Sequence, residues 1–166
     1  ITVGIKLAHP REFAHIFKIG KEQLAIFLVT IIITLYEDLL VGIAAGMVLK
    51  IVIHVVNGLP IKTLFKSPVS VSFEDDHYLV EIEKSAVFTN WLGIKGKLDA
   101  IPQGMHLTID LSNTKLVDHS VMENLHHFEH DYIAAGGHVK IIGIDDHKAL
   151  SKHDLAARKK KRPTSA

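Results

Sequence analysis

Two runs free of charged residues lie close together near the start of the chain, residues 24–35 (LAIFLVTIIITL) and 39–49 (LLVGIAAGMVL), with Tyr36-Glu37-Asp38 between them. The second continues through Lys50 into IVIHVV and stops at Asn57-Gly58-Leu59-Pro60, a turn signal. As helices, residues 24–36 span ~20 Å and residues 39–56 ~27 Å. A bilayer core is ~30 Å thick, so the first is short of crossing alone and the second just reaches. A helix on the surface of a soluble core carries a polar side, and both runs lack one, which favours lipid over protein interior as their medium. Gly42 and Gly46 form a small-xxx-small pair, with Ala45 beside it, that suits close helix approach.

Charge placement orients this hairpin. Lys6, Arg11, Lys18 and Lys21 precede it, Lys62 and Lys66 follow it, and the turn holds only Glu37 and Asp38. By the positive-inside rule both flanks are cytoplasmic and the turn faces out. Lys50 is expected to snorkel or to face protein, since a charge held at mid-membrane costs about 3 kcal/mol. Upstream, residues 10–18 place Phe13, Ile16 and Phe17 on one helical face after Pro10 and before Gly20, which reads as a short amphipathic helix at the cytoplasmic interface. The expected divisions are residues 1–23 for this loop and interfacial helix, 24–57 for the transmembrane hairpin and 58–68 for a linker.

From Ser67-Pro68 the pattern changes to that of a small α/β domain. Val69, Val71 and Phe73 alternate with serines, Glu74-Asp75-Asp76 makes a turn, and residues 78–82 give a second strand that Ala86-Val87-Phe88 extends. Asn90 is placed to cap a helix carrying Leu92, Ile94, Leu98 and Ile101, closing at Pro102. Met105, Leu107, Ile109 and Leu111 alternate with polar residues in another strand. Asp118 caps a helix whose core stripe is Val121, Leu125, Phe128 and Tyr132, with Met122 and Ile133 beside it and Gly136-Gly137 at its end. Residues 139–144 form a buried strand and Asp146 begins a last helix. Strand–helix alternation implies parallel pairing with right-handed crossovers. The domain is expected over residues 69–155 as a central β-sheet with helices packed on it, and residues 156–166 as a basic, disordered tail.

Composition removes several functions. With no cysteine there is neither a disulfide nor a thiolate site, and a net charge of +1 argues against a nucleic-acid binder. Of the 12 histidines, His126, His127 and His130 share one helix, and His126 with His130 is an i, i+4 pair able to ligate a metal if a third ligand approaches. The order HHFEH lacks the H-E-x-x-H arrangement, and Leu125 and Phe128 turn part of this face to solvent, so an exposed polar face is the simpler account. Asp118, His119 and Ser120 are consecutive and cannot align as a triad. No enzyme activity, cofactor or metal is expected. The run Arg158-Lys159-Lys160-Lys161-Arg162 reads either as a solubilising terminus or as a contact for anionic lipid.

Two stretches resemble known families. MHLTIDLSNTKLVDHSVMENLHHF, residues 105–128, is similar to the central strand–loop–helix of STAS domains, which occur in anti-sigma-factor antagonists and at the C-termini of SulP anion transporters. LAIFLVTIIITLYEDLLVGIAAGMVL, with the HPREF segment before it, resembles the last two membrane helices of SulP proteins, in the same order and at a similar separation. The two together cover the chain to about residue 150. The resemblance implies the C-terminal part of a secondary transporter of the sulfate or bicarbonate class, in a bacterial cytoplasmic membrane, with the STAS domain and C-terminus in the cytoplasm. That chain begins at Ile1 rather than Met is in keeping with a piece of a longer protein. The family's substrate site lies in the transporter core, so no substrate-binding residue carries over and the piece is not expected to transport alone. Membrane lipid, the rest of the transporter core, a second copy of the chain and a cytoplasmic partner of the STAS surface are the partners implied. In the antagonist branch the loop reads Asp-Ser-Ser-Gly and its second Ser is phosphorylated; here Asp118-His119-Ser120-Val121 keeps Ser120 at the acceptor position, while His119 and Val121 depart from the pattern. Capping by Asp118 with help from Ser120 is the plainer role for this loop. A stand-alone STAS regulatory module is the alternative, and it has no use for the hairpin.

Overall fold

The computed structural model describes residues 16–66 and 69–161. It divides the chain into two compact units, Ile1–Leu59 with Ser151–Ala156, and Pro60–Leu150 with Ala157–Ala166. Most of the expected interfacial helix, and Ser67-Pro68, lie outside the described residues; residues 16–19 are helical.

The first unit is a helical hairpin. Helix α1 (Lys21–Tyr36) and helix α2 (Leu39–Val56) are joined by Glu37-Asp38. Asp38 starts α2 by accepting the Val41 amide on its side chain at 2.9 Å. The buried residues of α2 are Gly42, Gly46, Lys50 and His54, one every four positions, which is the stripe that an α-helix presents to one neighbour. Across it stand Thr34, Thr30 and Ile26 of α1, and at the far end Asn57 donates from Nδ2 to Glu22 Oε1 at 3.2 Å. Thr30 turns its hydroxyl back to the Ile26 carbonyl at 2.9 Å. The glycines thus serve as the contact surface anticipated for them, and Lys50 faces protein. Outward, Ile32 and Leu35 on α1 and Leu40, Val48 and Val52 on α2 are exposed. Helix α2, at 18 residues, is long and apolar enough to cross a membrane; α1, at 16, falls short of that length.

The second unit opens on helix α3 (Ile61–Phe65) and continues through β1 (Val69–Glu74), β2 (His77–Ile82), β3 (Lys84–Ala86), helix α4 (Trp91–Leu98), β4 (His106–Asp110), β5 (Thr114–Val117), helix α5 (His119–Ala134), β6 (His138–Ile142), a 3-10 turn at Ile144–Asp146, β7 (His147–Ala149) and β8 (Arg158–Lys160). One sheet has the order β1-β2-β4-β6 and a second the order β3-β5-β8-β7. Pairing is parallel for β2–β4, β4–β6 and β3–β5, as strand–helix alternation requires, and antiparallel for the β1–β2 hairpin, whose turn residues Asp75 and Asp76 adopt positive φ. On one face of the first sheet Val80, Ile82, Leu107 and Ile109 join Trp91, Ile94 and Leu98 of α4 and Val121, Leu125 and Tyr132 of α5 in the core.

Several expectations need correction here. Leu92 is 81 % exposed and Trp91 takes the core position, because the helix begins at Trp91 and its inward face is set by Trp91, Ile94 and Leu98. Asn90 occupies the N-cap but makes no capping bond; it braces the preceding loop instead, accepting the Val87 amide at 3.0 Å and donating to the Ser85 and Thr63 carbonyls at 3.0 and 3.1 Å. Residues 58–68 are not a bare linker, since α3 buries Leu64 completely. Among the described residues no helix follows Asp146: β7 and β8 pair there, so the basic segment 158–160 is a central strand rather than a disordered tail. Strand pairing uses backbone groups and tolerates charged side chains where they reach acceptors. Lys160 Nζ finds the Ser112 carbonyl at 2.5 Å and Lys161 Nζ the Asp145 carbonyl at 2.9 Å. His147 anchors the hairpin from inside, with Nδ1 at 2.8 Å from the Gly143 carbonyl and Nε2 at 2.6 Å from that of Thr114.

Candidate functional site

The junction between β5 and α5 holds the three residues singled out in the sequence. Asp118 is 1 % exposed and uses both carboxylate oxygens on backbone amides, Oδ1 on Val121 at 2.8 Å and Oδ2 on Phe88 at 3.0 Å. Its own amide donates to the Ala86 carbonyl at 3.0 Å. One side chain therefore starts the helix and ties it to the loop after β3. His119 is the first helical residue, with Nε2 at 3.9 Å from Glu123 Oε2 one turn on. Ser120 is half-buried in the first turn, and its carbonyl accepts Asn124 Nδ2 at 2.6 Å. Val121 is fully buried. The three residues are adjacent in space as in sequence, yet Asp118 turns inward to the backbone and His119 turns to Glu123, so they do not converge on one point.

Beside this junction a groove of about 400 Å³ runs between α4 and α5, lined by Trp91, Lys95, Asn124, His127, Phe128 and Tyr132 among others. Lys95 pairs with Asp99 at 2.5 Å on its rim. At its end Tyr132 donates its hydroxyl to the Pro102 carbonyl at 2.9 Å, and burial raises the phenol above its ordinary pKa.

The helical histidines do not gather. His126, His127 and His130 are all exposed, the first two with ring centroids 6.3 Å apart and His130 beside Asp131 at 3.4 Å. Among the described residues, no group of three or more histidine or carboxylate side chains is spaced to hold a metal ion. A different set of histidines does come together. His77, His106 and His138 occupy one row across β2, β4 and β6. Their positions, 29 and 32 residues apart in the chain, carry no signal until the strand register is known.

Neither a protein-family model nor a curated protein matches the sequence. Among solved structures, the chain is similar to the murine Solute Carrier 26 family member A9 (Slc26a9) anion transporter in the inward-facing state, at 14% identity and a TM-score of 0.36 over 82% of this chain. It spans 25% of the length of that chain. A likeness of that extent leaves function to be argued from the residues themselves.

Proposed function

We propose that the chain is the C-terminal part of a SulP-type secondary anion transporter, a two-helix membrane hairpin followed by a cytoplasmic STAS-type domain that regulates, assembles or directs the transporter. The carrying observation is α2, which spans 18 residues of membrane length and composition with only 22% of them buried. A helix that apolar inside a soluble protein is mostly enclosed, whereas this one turns its apolar outer face to its surroundings. Its inner face, made of glycines against threonines, is the kind that brings membrane helices together without large apolar side chains. Support for the second half comes from residues 105–128, whose resemblance to the STAS strand–loop–helix falls on β4, β5 and the start of α5, with helices packed over a mixed sheet. On this reading the chain lies in a bacterial cytoplasmic membrane, and sulfate or bicarbonate is the class of anion. Its own residues are assigned no chemistry: they supply scaffold and regulation, and the anion passes through segments outside this chain.

The test uses the absence of native cysteine. Single cysteines at Glu37 and at Asp76 are introduced separately into the full chain expressed in bacteria. The chain is expected to remain in the membrane pellet after an alkaline carbonate wash. The Glu37 site should react with an impermeant maleimide in intact spheroplasts, and the Asp76 site only after lysis. A chain found monodisperse in the detergent-free soluble fraction removes the transporter reading and leaves the regulatory module. Labelling of Asp76 from outside removes the assigned orientation.

A further inference from the structure

The row of histidines lies on the face of the first sheet opposite the core. His77, His106 and His138 are the first residues of three neighbouring strands and are register partners, His77 with His106 and His106 with His138. Glu74 of β1 is the register partner of His77 and ends the row with a carboxylate. The His106 and His138 rings lie 4.7 Å apart between centroids and within 12° of parallel; His77 and His106 are 6.3 Å apart at 17°. His106 and His138 are exposed, while His77 is half-buried and held through Nε2 by Thr108 Oγ1 at 2.8 Å.

We propose that His106 and His138 form an open binding site for a divalent first-row transition-metal ion such as Cu²⁺, Ni²⁺ or Zn²⁺. Imidazole nitrogen is the ligand that suits these ions, with bonds of about 2.0–2.1 Å to zinc. Near-parallel rings 4.7 Å apart must turn to aim a nitrogen each at one ion. The second torsion of histidine is broad, so that turn is inexpensive for exposed rings. Their backbone positions are fixed by the parallel ladder on both sides of β4, which removes the cost of bringing two ligands together. His77 stands too far along the row to share the same ion. Its bond to Thr108 holds its ring in place beside the pair. Lys140, two residues after His138 on the same strand and face, limits the affinity by its positive charge. With two protein ligands, the remaining coordination positions fall to water or to a small anion. None of this depends on the transporter reading.

The test takes the untagged full chain in detergent with added Cu²⁺, Ni²⁺ or Zn²⁺. Titration calorimetry is expected to show about one ion per chain. The electron paramagnetic resonance spectrum of the copper form should carry splitting from two nitrogens. His106→Asn and His138→Asn should each weaken binding by about tenfold or more, with far-UV circular dichroism unchanged. The variant His126→Asn/His130→Asn, which removes the competing i, i+4 pair on α5, should bind as the parent does. Binding that survives loss of His106 and His138, or that disappears with His126 and His130, overturns the proposal. So does a copper spectrum of the unaltered chain without two-nitrogen splitting, whatever the variants do.

Discussion

The two glycines of α2 make opposite predictions about rescue, although both are packed against threonines. A methyl group at position 46 would collide with Thr30 Oγ1, but its next neighbours, Thr30 Cβ at 3.5 Å and Ile26 Cγ2 at 3.7 Å, are at ordinary contact distance. At position 42 the methyl would collide with Thr34 Oγ1 and would also lie 2.8 Å from the Thr30 carbonyl oxygen and 2.9 Å from Thr34 Cβ. Overpacking of this sort costs about 1–3 kcal/mol, and alanine returns about 1 kcal/mol of helix propensity. Gly46→Ala should therefore destabilise the hairpin by about 1 kcal/mol and Gly42→Ala by about 2 kcal/mol. Thr30→Ala removes the only atom in the way at position 46, and with it a side-chain bond to the Ile26 carbonyl that does little for the helix. The double variant Gly46→Ala/Thr30→Ala should recover the parent's stability or exceed it. Thr34→Ala cannot rescue Gly42→Ala in the same way, because the Thr30 carbonyl and the Cβ at position 34 stay in place. The assay is SDS-driven separation of the helices in mixed micelles, read by energy transfer between dyes on cysteines placed at Lys21 and Val56. Rescue of Gly42→Ala by Thr34→Ala, or a stable Gly42→Ala alone, would refute the packing described for this interface.

Asp118→Ala removes a helix cap worth about 1–2 kcal/mol and strips the Phe88 amide of its acceptor, about 1–3 kcal/mol more; a denaturant melt of the full chain should show a loss of at least 2 kcal/mol, with a smaller loss for Ser120→Ala. Burial raises the Tyr132 phenol, so the folded state keeps that proton longer than the unfolded one. Its contribution is complete below about pH 10 and is lost as pH rises past that value. Thermal melts from pH 8 to 11 should fall less steeply for Tyr132→Phe than for the parent, although Tyr132→Phe starts about 1 kcal/mol lower for want of the bond to Pro102.

What the sequence discloses is what depends on neighbours along the chain. The apolar runs, the glycine pair at i, i+4 and the stripe Val121, Leu125, Tyr132 are local periodicities, and each appears in its expected element. Asp118 is likewise legible as a cap because capping joins residues three apart. Legibility fails where a residue's partner is remote. Asn90 has the composition of a cap, but the Thr63 and Ser85 carbonyls compete for its side chain and win. The basic run at 158–160 has no strand propensity in its composition, and only the open edges of β5 and β7 make it a strand. The histidine row is the extreme case, since three strands must be in register before it exists.

The place of β8 changes what the α/β unit needs in order to fold. A fragment of residues 69–155 follows the boundaries that the composition suggests, yet it lacks both α3 and β8. Loss of α3 removes Leu64, whose burial is worth about 2 kcal/mol. The Thr63 carbonyl that accepts Ser85 Oγ at 2.7 Å goes with it, as does the Leu64 carbonyl that accepts Thr89 Oγ1. The bond from Asn90 Nδ2 to the Thr63 carbonyl is lost as well, so three hydrogen bonds go, at about 1–3 kcal/mol each where water does not reach the donor. Loss of β8 then leaves β7 with no partner and opens the edge of β5, since β8 is the strand between them. Together these take several kcal/mol from a domain whose total stability is of order 5–15 kcal/mol. At about 4–8 °C per kcal/mol for a domain of this size, the fragment of residues 69–155 should melt at least 15 °C below the fragment of residues 60–161 or show no cooperative transition. The comparison is made by differential scanning calorimetry on the two fragments without detergent. Equal melting temperatures would mean that α3 and β8 are appendages, and that the basic strand leaves the sheet without cost.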